Sequence, residues 1–218
     1  MFHEIDYENW DRKEIYEAFE GFSYSMTVEL DMTELREYMR RTGRKFYPLI
    51  CWTITKTVNR DRDFRIVKKA GKVGYFDELH TSYTLRRAAK PHLFTHMVTE
   101  YDADMDVYYE RFRQDKARAE AEDRLYYYRE MRQDNVDVSV TPLTTFQTLA
   151  VSVPPAFYQK DPDHMRYTPF TTVGRFHEKD GRIFVPAAVN FHHAVNDGYH
   201  AEKYFQMLQE ELDAFAGR

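Results

Sequence analysis

The chain reads as an α/β protein of the α+β type, one domain spanning residues 1–218, with helices packed on a mixed β-sheet. Three observations lead there. Strand-like runs outnumber helical stretches, the helical stretches are interspersed among the strands without strict alternation, and no Pro/Gly/Ser-rich or low-complexity linker divides the 218 residues. A 43% hydrophobic content supplies a core, and 31% charged residues supply a polar surface.

Taken in order, Asn9 is placed to cap a short helix from about Trp10 to Phe19, with Trp10, Ile15, Ala18 and Phe19 available for burial. Arg12 near its first turn opposes the helix dipole, so a carboxylate partner elsewhere explains it better than helix formation; a solvated arginine is the alternative. Phe22 to Leu30 alternates as a strand. Asp31 and Glu34 have the capping-box spacing for a helix to about Arg41, which Gly43 ends. Leu49 to Asn59 suits a largely buried helix with Pro48 in its first turn. Phe64 to Val67 and Val73 to Phe76 read as a hairpin, and Tyr83 to Arg86 and Leu93 to Val98 as further strands.

Asp104 to Ala121 has the pattern of a helix with a solvated charged face. Leu125 to Asn135 fits neither period. Val136 to Val140 alternates, which projects Ser139 from the face opposite Val138 and Val140. Thr148 to Val153 reads as a strand closed by Pro154-Pro155. Pro169 to Phe176 and Arg182 to Phe191 flank Asp180-Gly181, a hairpin turn signal. The last helix, Ala201 to Phe215, sets Tyr204, Phe205, Leu208, Leu212 and Phe215 on one side and Glu210, Glu211 and Asp213 on the other.

The formal net charge of -5 argues against a general affinity for nucleic acid or anionic membrane. The single Cys51 rules out an internal disulfide framework and suits a reducing compartment. The start has no signal-peptide pattern and no apolar run reaches the roughly 20 residues that span a bilayer, so a cytoplasmic location is expected.

Chemistry concentrates in Asn190 to His200, at the junction of an apolar strand and the last helix. His193 and Asp197 are four apart, with Gly198 where a tight turn precedes the helix. An imidazole titrates near neutral pH and takes a proton from an alcohol or thiol when its other ring nitrogen is held by an acceptor. Asp197 is a candidate for that acceptor, or for a fastener of the loop. A plain hydrogen-bonded pair closing the strand–helix joint is the simplest alternative. Two histidines and an aspartate are also competent metal ligands, but adjacent histidines on a strand point to opposite faces and no second cluster completes a shell. The reading without metal is preferred.

The string from His192 to His200 closely resembles the HHAVCDGFH string of the chloramphenicol acetyltransferases, within the coenzyme A-dependent acyltransferase superfamily that shares HHxxxDG. The resemblance covers almost the whole chain: Asn9-Trp10 with Arg12, Gly21-Phe22-Ser23, Lys45 to Pro48, Val138-Ser139, and Pro169 with Thr172 fall in the family's order and approximate spacing. It implies a two-layer sandwich assembled as a homotrimer, with acetyl-CoA as co-substrate, no metal, and a small-molecule hydroxyl as acceptor. His193 then matches the general base, Ser139 the serine that stabilises the oxyanion, and Thr172 the threonine that helps through water. Asp197 matches the structural aspartate that ion-pairs with the arginine at Arg12. Lys45 and Arg175 match positions near the coenzyme's 3′-phosphate. Transfer is direct in a ternary complex, so Cys51 needs no role.

Phe19 and Phe22 offer aromatic walls for an acceptor, although a core role accounts for both equally. The chain departs from the family's usual pattern in Asn196 for cysteine, Tyr199 for phenylalanine, a short loop between Phe19 and Gly21, and the basic segment Arg86 to His92. The expected activity is chloramphenicol O-acetylation and antibiotic resistance. The alternatives are acetylation of another hydroxyl compound and a non-catalytic relative that binds a small molecule.

Overall fold

The computed structural model describes residues 1–121, 124–127, 132–152 and 167–218. Among the described residues ten strands and five α-helices follow one another: β1 (Phe2–Glu4), α1 (Lys13–Phe19), β2 (Ser23–Asp31), α2 (Thr33–Thr42), α3 (Phe46–Asn59), β3 (Ile66–Lys69), β4 (Lys72–Phe76), β5 (His80–Arg86), β6 (Phe94–Thr99), α4 (Met105–Ala121), β7 (Asn135–Val140), β8 (Phe170–Val173), β9 (His177–Lys179), β10 (Arg182–His192) and α5 (Gly198–Asp213). The main sheet has seven strands in the order β2-β10-β8-β7-β5-β6, with β9 on the end of β10. β7 runs parallel to β5 and β8, and every other pair in it is antiparallel.

Strand period separates the two faces of this sheet. Tyr83, Met97, Val138, Val173, Val185, Ala187, Val189 and Phe191 point to one side and join the core with residues of α2, α3, α4 and α5. Register places Ser82, Asp137, Ser139, Thr172, Ala188, Asn190 and His192 on the other side. The two-layer arrangement of helices on a mixed sheet is therefore the expected one. Its central helix is α3, apolar on nearly all sides, with Leu49, Ile50, Trp52, Ile54 and Val58 buried. A helix of that composition needs partners around it, and α3 packs against both α4 and α5.

Local signals account for most boundaries. Gly43 takes φ 72° and its N–H bonds the Met39 carbonyl at 2.9 Å, ending α2 as a left-handed cap. Asp180 and Gly181 both have positive φ, 51° and 75°, as the two-residue hairpin turn between β9 and β10 demands. Four expectations need correction. Asn9 does not cap α1: its amide bonds Asp6, the helix starts at Lys13, and Tyr16 is buried while Ile15 is 38% exposed. Asp31 stands one residue ahead of the N-cap, Met32, and accepts from the Thr33 N–H as a local turn, so the expected capping box with Glu34 does not form. Phe64 lies in a 3-10 turn, Arg62–Arg65, ahead of the hairpin. Residues 148–152 are not a strand, and the rest of that expected element, with Pro154-Pro155, falls outside the described residues.

β1, β4 and β3 form a separate three-stranded sheet. Its tight point is Gly74, where a Cβ would stand 2.3 Å from the His3 carbonyl oxygen and 2.4 Å from the Phe2 ring. Gly74→Ala should therefore displace β1 and lower stability by about 1–3 kcal/mol, the range for overpacking. Urea unfolding of the variant beside the parent, read as the shift in midpoint, checks this; an unchanged midpoint would show that β1 contributes nothing.

Candidate active site

β10 is eleven residues long and pairs with β2 from Phe184 to His192, so the position of its last residue is set by a long ladder. The chain then turns at once, with the Val195 and Asn196 N–H groups donating to the His192 carbonyl at 3.1 and 2.9 Å and the His193 N–H to the Phe22 carbonyl at 2.9 Å. Strand alternation sends His192 and His193 apart. His192 is 5% exposed and packs edge-on against Tyr167 at 4.6 Å. Burial pushes its imidazole down to about 4, so it is neutral near pH 7. Beneath it, Tyr16 and Tyr167 share a hydroxyl contact of 2.7 Å and both reach Glu20, which Lys68 holds at 2.9 Å.

His193 stands at the rim. Its ring stacks on Phe19 with centroids 4.3 Å apart and meets Tyr24 edge-on at 5.6 Å. Its Nδ1 is buried and finds no partner among the described residues. Asp197 therefore does not hold the ring; of the two readings of this carboxylate, the loop fastener is the one realised. It caps α5, accepting from the Tyr199 N–H at 3.1 Å and lying 2.8 Å from His200 Nδ1.

Arg12 closes the arrangement as its sequence position implied. Its Nε donates to the Ala194 carbonyl at 2.8 Å, Nη1 to Asp197 at 3.1 Å and Nη2 to the His193 carbonyl at 3.3 Å. Burial alone would raise the Asp197 carboxyl, but the hydrogen bonds from His200 and Arg12 outweigh it and hold the group at about 2. Missed from the sequence were His200, which stands where a capping box carries Glu or Gln, Asp63, which no spacing ties to it, and Tyr24 under His193.

Ser139 and Thr172 lie elsewhere on the sheet. Ser139 and Thr172 are register partners on adjacent parallel strands and share a face. Thr172 is opposite Ala188, five residues before His193. At about 3.3 Å per strand residue and 4.8 Å between strands, His193 is on the order of 15–20 Å from Ser139 and Thr172 within one chain. Phe22 is 59% exposed and its ring meets that of Phe19 edge-on at 5.6 Å, so Phe19 stacks on His193 and Phe22 reaches it through Phe19 and through its own carbonyl. Lys45 and Arg175 are exposed and come to neighbouring positions, because the rings of Phe46 and Phe176 meet at 4.7 Å. Among the described residues no group of three or more His, Cys, Asp or Glu is arranged to hold a metal, and no helix is long and apolar enough to cross a membrane.

A solved chloramphenicol acetyltransferase superposes with a TM-score of 0.79 at 20% identity, covering 97% of this chain and 100% of that one. The family model described as chloramphenicol acetyltransferase matches residues 1–209, and the chain belongs to that family. Similar proteins include a chloramphenicol acetyltransferase of Clostridium perfringens, 31% identical over 215 residues with 96% of this chain and 94% of that one covered. Another, from Staphylococcus aureus, is 27% identical over 212 residues, with 96% and 95% covered.

The Arg12–Asp197 pair is part-buried, with side chains 14% and 31% exposed, so a double-mutant cycle between Arg12→Ala and Asp197→Asn should give about 1–3 kcal/mol of coupling, below the range for a fully buried pair. Additive effects would contradict the contact. Acid titration has a sign fixed by the two lowered groups. The unfolded chain takes up the proton first in each case, so the contribution of His192 is complete above about pH 6.5 and is lost as pH falls through about 4, while that of Asp197 persists until pH falls through about 2. Unfolding midpoints at pH 7, 5.5 and 4 should fall in that order, and His192→Asn should flatten the fall.

Proposed function

We propose that the chain is an acetyl-CoA-dependent chloramphenicol O-acetyltransferase that works as a cytoplasmic homotrimer and confers antibiotic resistance. His193 is the general base. Its ring accepts the proton of the acceptor hydroxyl while that oxygen attacks the thioester carbonyl; the tetrahedral intermediate then expels the coenzyme thiolate, which recovers the proton from the imidazolium. Ser139 donates to the oxyanion and Thr172 assists through water. A placed base supplies about 10²–10⁴-fold and an oxyanion donor about 10²–10³-fold, with the rest from holding the two substrates together. Arg12 and Asp197 keep the base's main chain in place. Lys45 and Arg175 bind the coenzyme's phosphate, and Phe19 and Phe22 wall the acceptor.

The observation that carries this reading is the three-point hold of Arg12 on the His193–Asp197 turn, which leaves the imidazole at the sheet rim against Phe19. The separation of His193 from Ser139 and Thr172 along the sheet supports sites shared between subunits, because one chain cannot bring base and oxyanion donor to the same carbonyl. A second reading, another hydroxylated acceptor, is favoured by the exposed basic tip of the β5–β6 hairpin, with Arg86, Lys90 and His92 at the surface.

Coenzyme thiol release tests the chemistry. His193→Ala should abolish turnover with the fold intact, and Ser139→Ala should lower kcat by roughly 10²-fold with little change in KM. Unfolding and refolding the two inactive variants together should restore part of the activity if the sites are shared, since some interfaces then join an intact His193 to an intact Ser139. No recovery would place each site within one chain. A panel of hydroxylated acceptors including chloramphenicol decides the substrate: turnover of another alcohol with none of chloramphenicol would keep the acyl transfer and discard the drug.

A further inference from the structure

His200 ties the turn that carries His193 to a distant part of the chain. It lies in the first turn of α5, 7% exposed, and the edge of Phe64 closes over it at 6.5 Å. Its Nδ1 is 2.8 Å from Asp197 Oδ1 and its Nε2 is 3.5 Å from Asp63 Oδ2. Asp63 belongs to the 3-10 turn Arg62–Arg65 ahead of β3, and its carbonyl also accepts from the Asn196 side chain at 3.1 Å. One imidazole thus stands between two carboxylates.

Carboxylates only accept, and a neutral imidazole carries one N–H, so donation to both carboxylates requires the doubly protonated ring, whereas the Asp197 main-chain N–H, 3.3 Å from Nδ1, is accepted there only by a ring that has lost its Nδ1 proton. Facing the ring are Asp63 from the 3-10 turn, Arg12 from the segment before α1, and Asp197 and Tyr199 from the cap and first turn of α5, while Asp63 is itself flanked by Arg62 and Lys203. Burial opposes the charge, but the hydrogen bonds with Asp63 and Asp197 outweigh it and raise the group above its ordinary value.

We propose that His200 and Asp63 are positioning residues for acyl transfer: the imidazolium bridging Asp63 and Asp197 fixes Asp197 as the anchor for Arg12, which in turn holds the carbonyls of His193 and Ala194. The inference rests on the acetyltransferase reading above. A continuous set of contacts runs from Asp63 through His200, Asp197 and Arg12 to the main chain of the base. His200 is buried and Asp63 contacts it from the far side of the turn, and neither is among the residues assigned to substrate, so loosening them misaligns the base without removing a binding contact. The effect should fall on kcat and spare KM.

Nitrogen NMR of the histidine-labelled protein reads the bridge directly. Both ring nitrogens of His200 should be protonated at pH 7 in the parent, and only one in Asp63→Asn. His200→Ala should lower kcat by on the order of 10–100-fold with KM within about twofold, and His200→Asn, whose amide can still donate to Asp197, should recover to within about tenfold of the parent. The parent should lose kcat on the alkaline side as His200 deprotonates, and Asp63→Asn should move that loss to lower pH. A singly protonated His200 at pH 7, an unchanged kcat in His200→Ala, or the same alkaline loss in Asp63→Asn would each overturn the proposal. Absence of turnover in the parent would overturn the functional reading and the positioning role with it, while the NMR signature would still decide the bridge.

Discussion

The hold of Arg12 on the turn after β10 is the constraint on which the rest of the candidate site depends. Three acceptors of a single turn, the carbonyls of His193 and Ala194 and the carboxylate of Asp197, are satisfied by one guanidinium. A turn of this kind between a strand and a helix leaves carbonyls without ladder or helix partners, and such groups are costly to bury unpaired. The planar, permanently charged fork of arginine reaches all three at once, which a lysine ammonium does not do in one geometry.

That hold works because the sheet delivers the turn to a defined place. The pairing of β10 with β2 leaves little freedom in where His192 ends, and the twofold period of a strand then dictates that the two histidines have different fates. His192 goes into an aromatic pocket, loses its charge and becomes packing. His193 goes to the rim, where Phe19 and Tyr24 confine the ring while solvent remains within reach. Identical side chains, one residue apart, acquire separate roles from backbone geometry alone.

The same period gives the sheet its division of labour. Its apolar face is consumed by α2 to α5, so chemistry has to come from the rim and from the face that carries Ser139 and Thr172. These two groups lie side by side on parallel strands, but along β10 they are far from His193. Under the function proposed above, base and oxyanion donors are thus held apart within one chain, and symmetric assembly is the simple way for one copy's base to meet another's donors.

Much of this was legible in the chain itself. The strand and helix boundaries around Asp31, Gly43, Asp180-Gly181 and Asp104 to Ala121 follow from turn chemistry and apolar spacing, which act over a few residues. Arg12 announced a distant carboxylate because it sat where the helix dipole disfavours it. Asn9 misled, since a good capping residue needs the chain to turn into the helix beside it, and here Asp6 claims its amide. The pairing of Arg12 with Asp197 is 185 residues long, yet it could be inferred because both residues lie in recognisable motifs.

His200 and Asp63 stand at the other limit. The sequence by itself determined the fold class, the histidine–aspartate turn and the opposite facings of the adjacent histidines, because these rest on local sterics and period. Only the tertiary structure decided that Asp197 also serves His200 and leaves the His193 ring alone. It alone decided that the 3-10 turn before β3 reaches the cap of α5, and that Ser139 and Thr172 sit together but away from the base. Those outcomes depend on strand register and on which carboxylate lies nearest which donor in three dimensions, and no spacing along the chain encodes them.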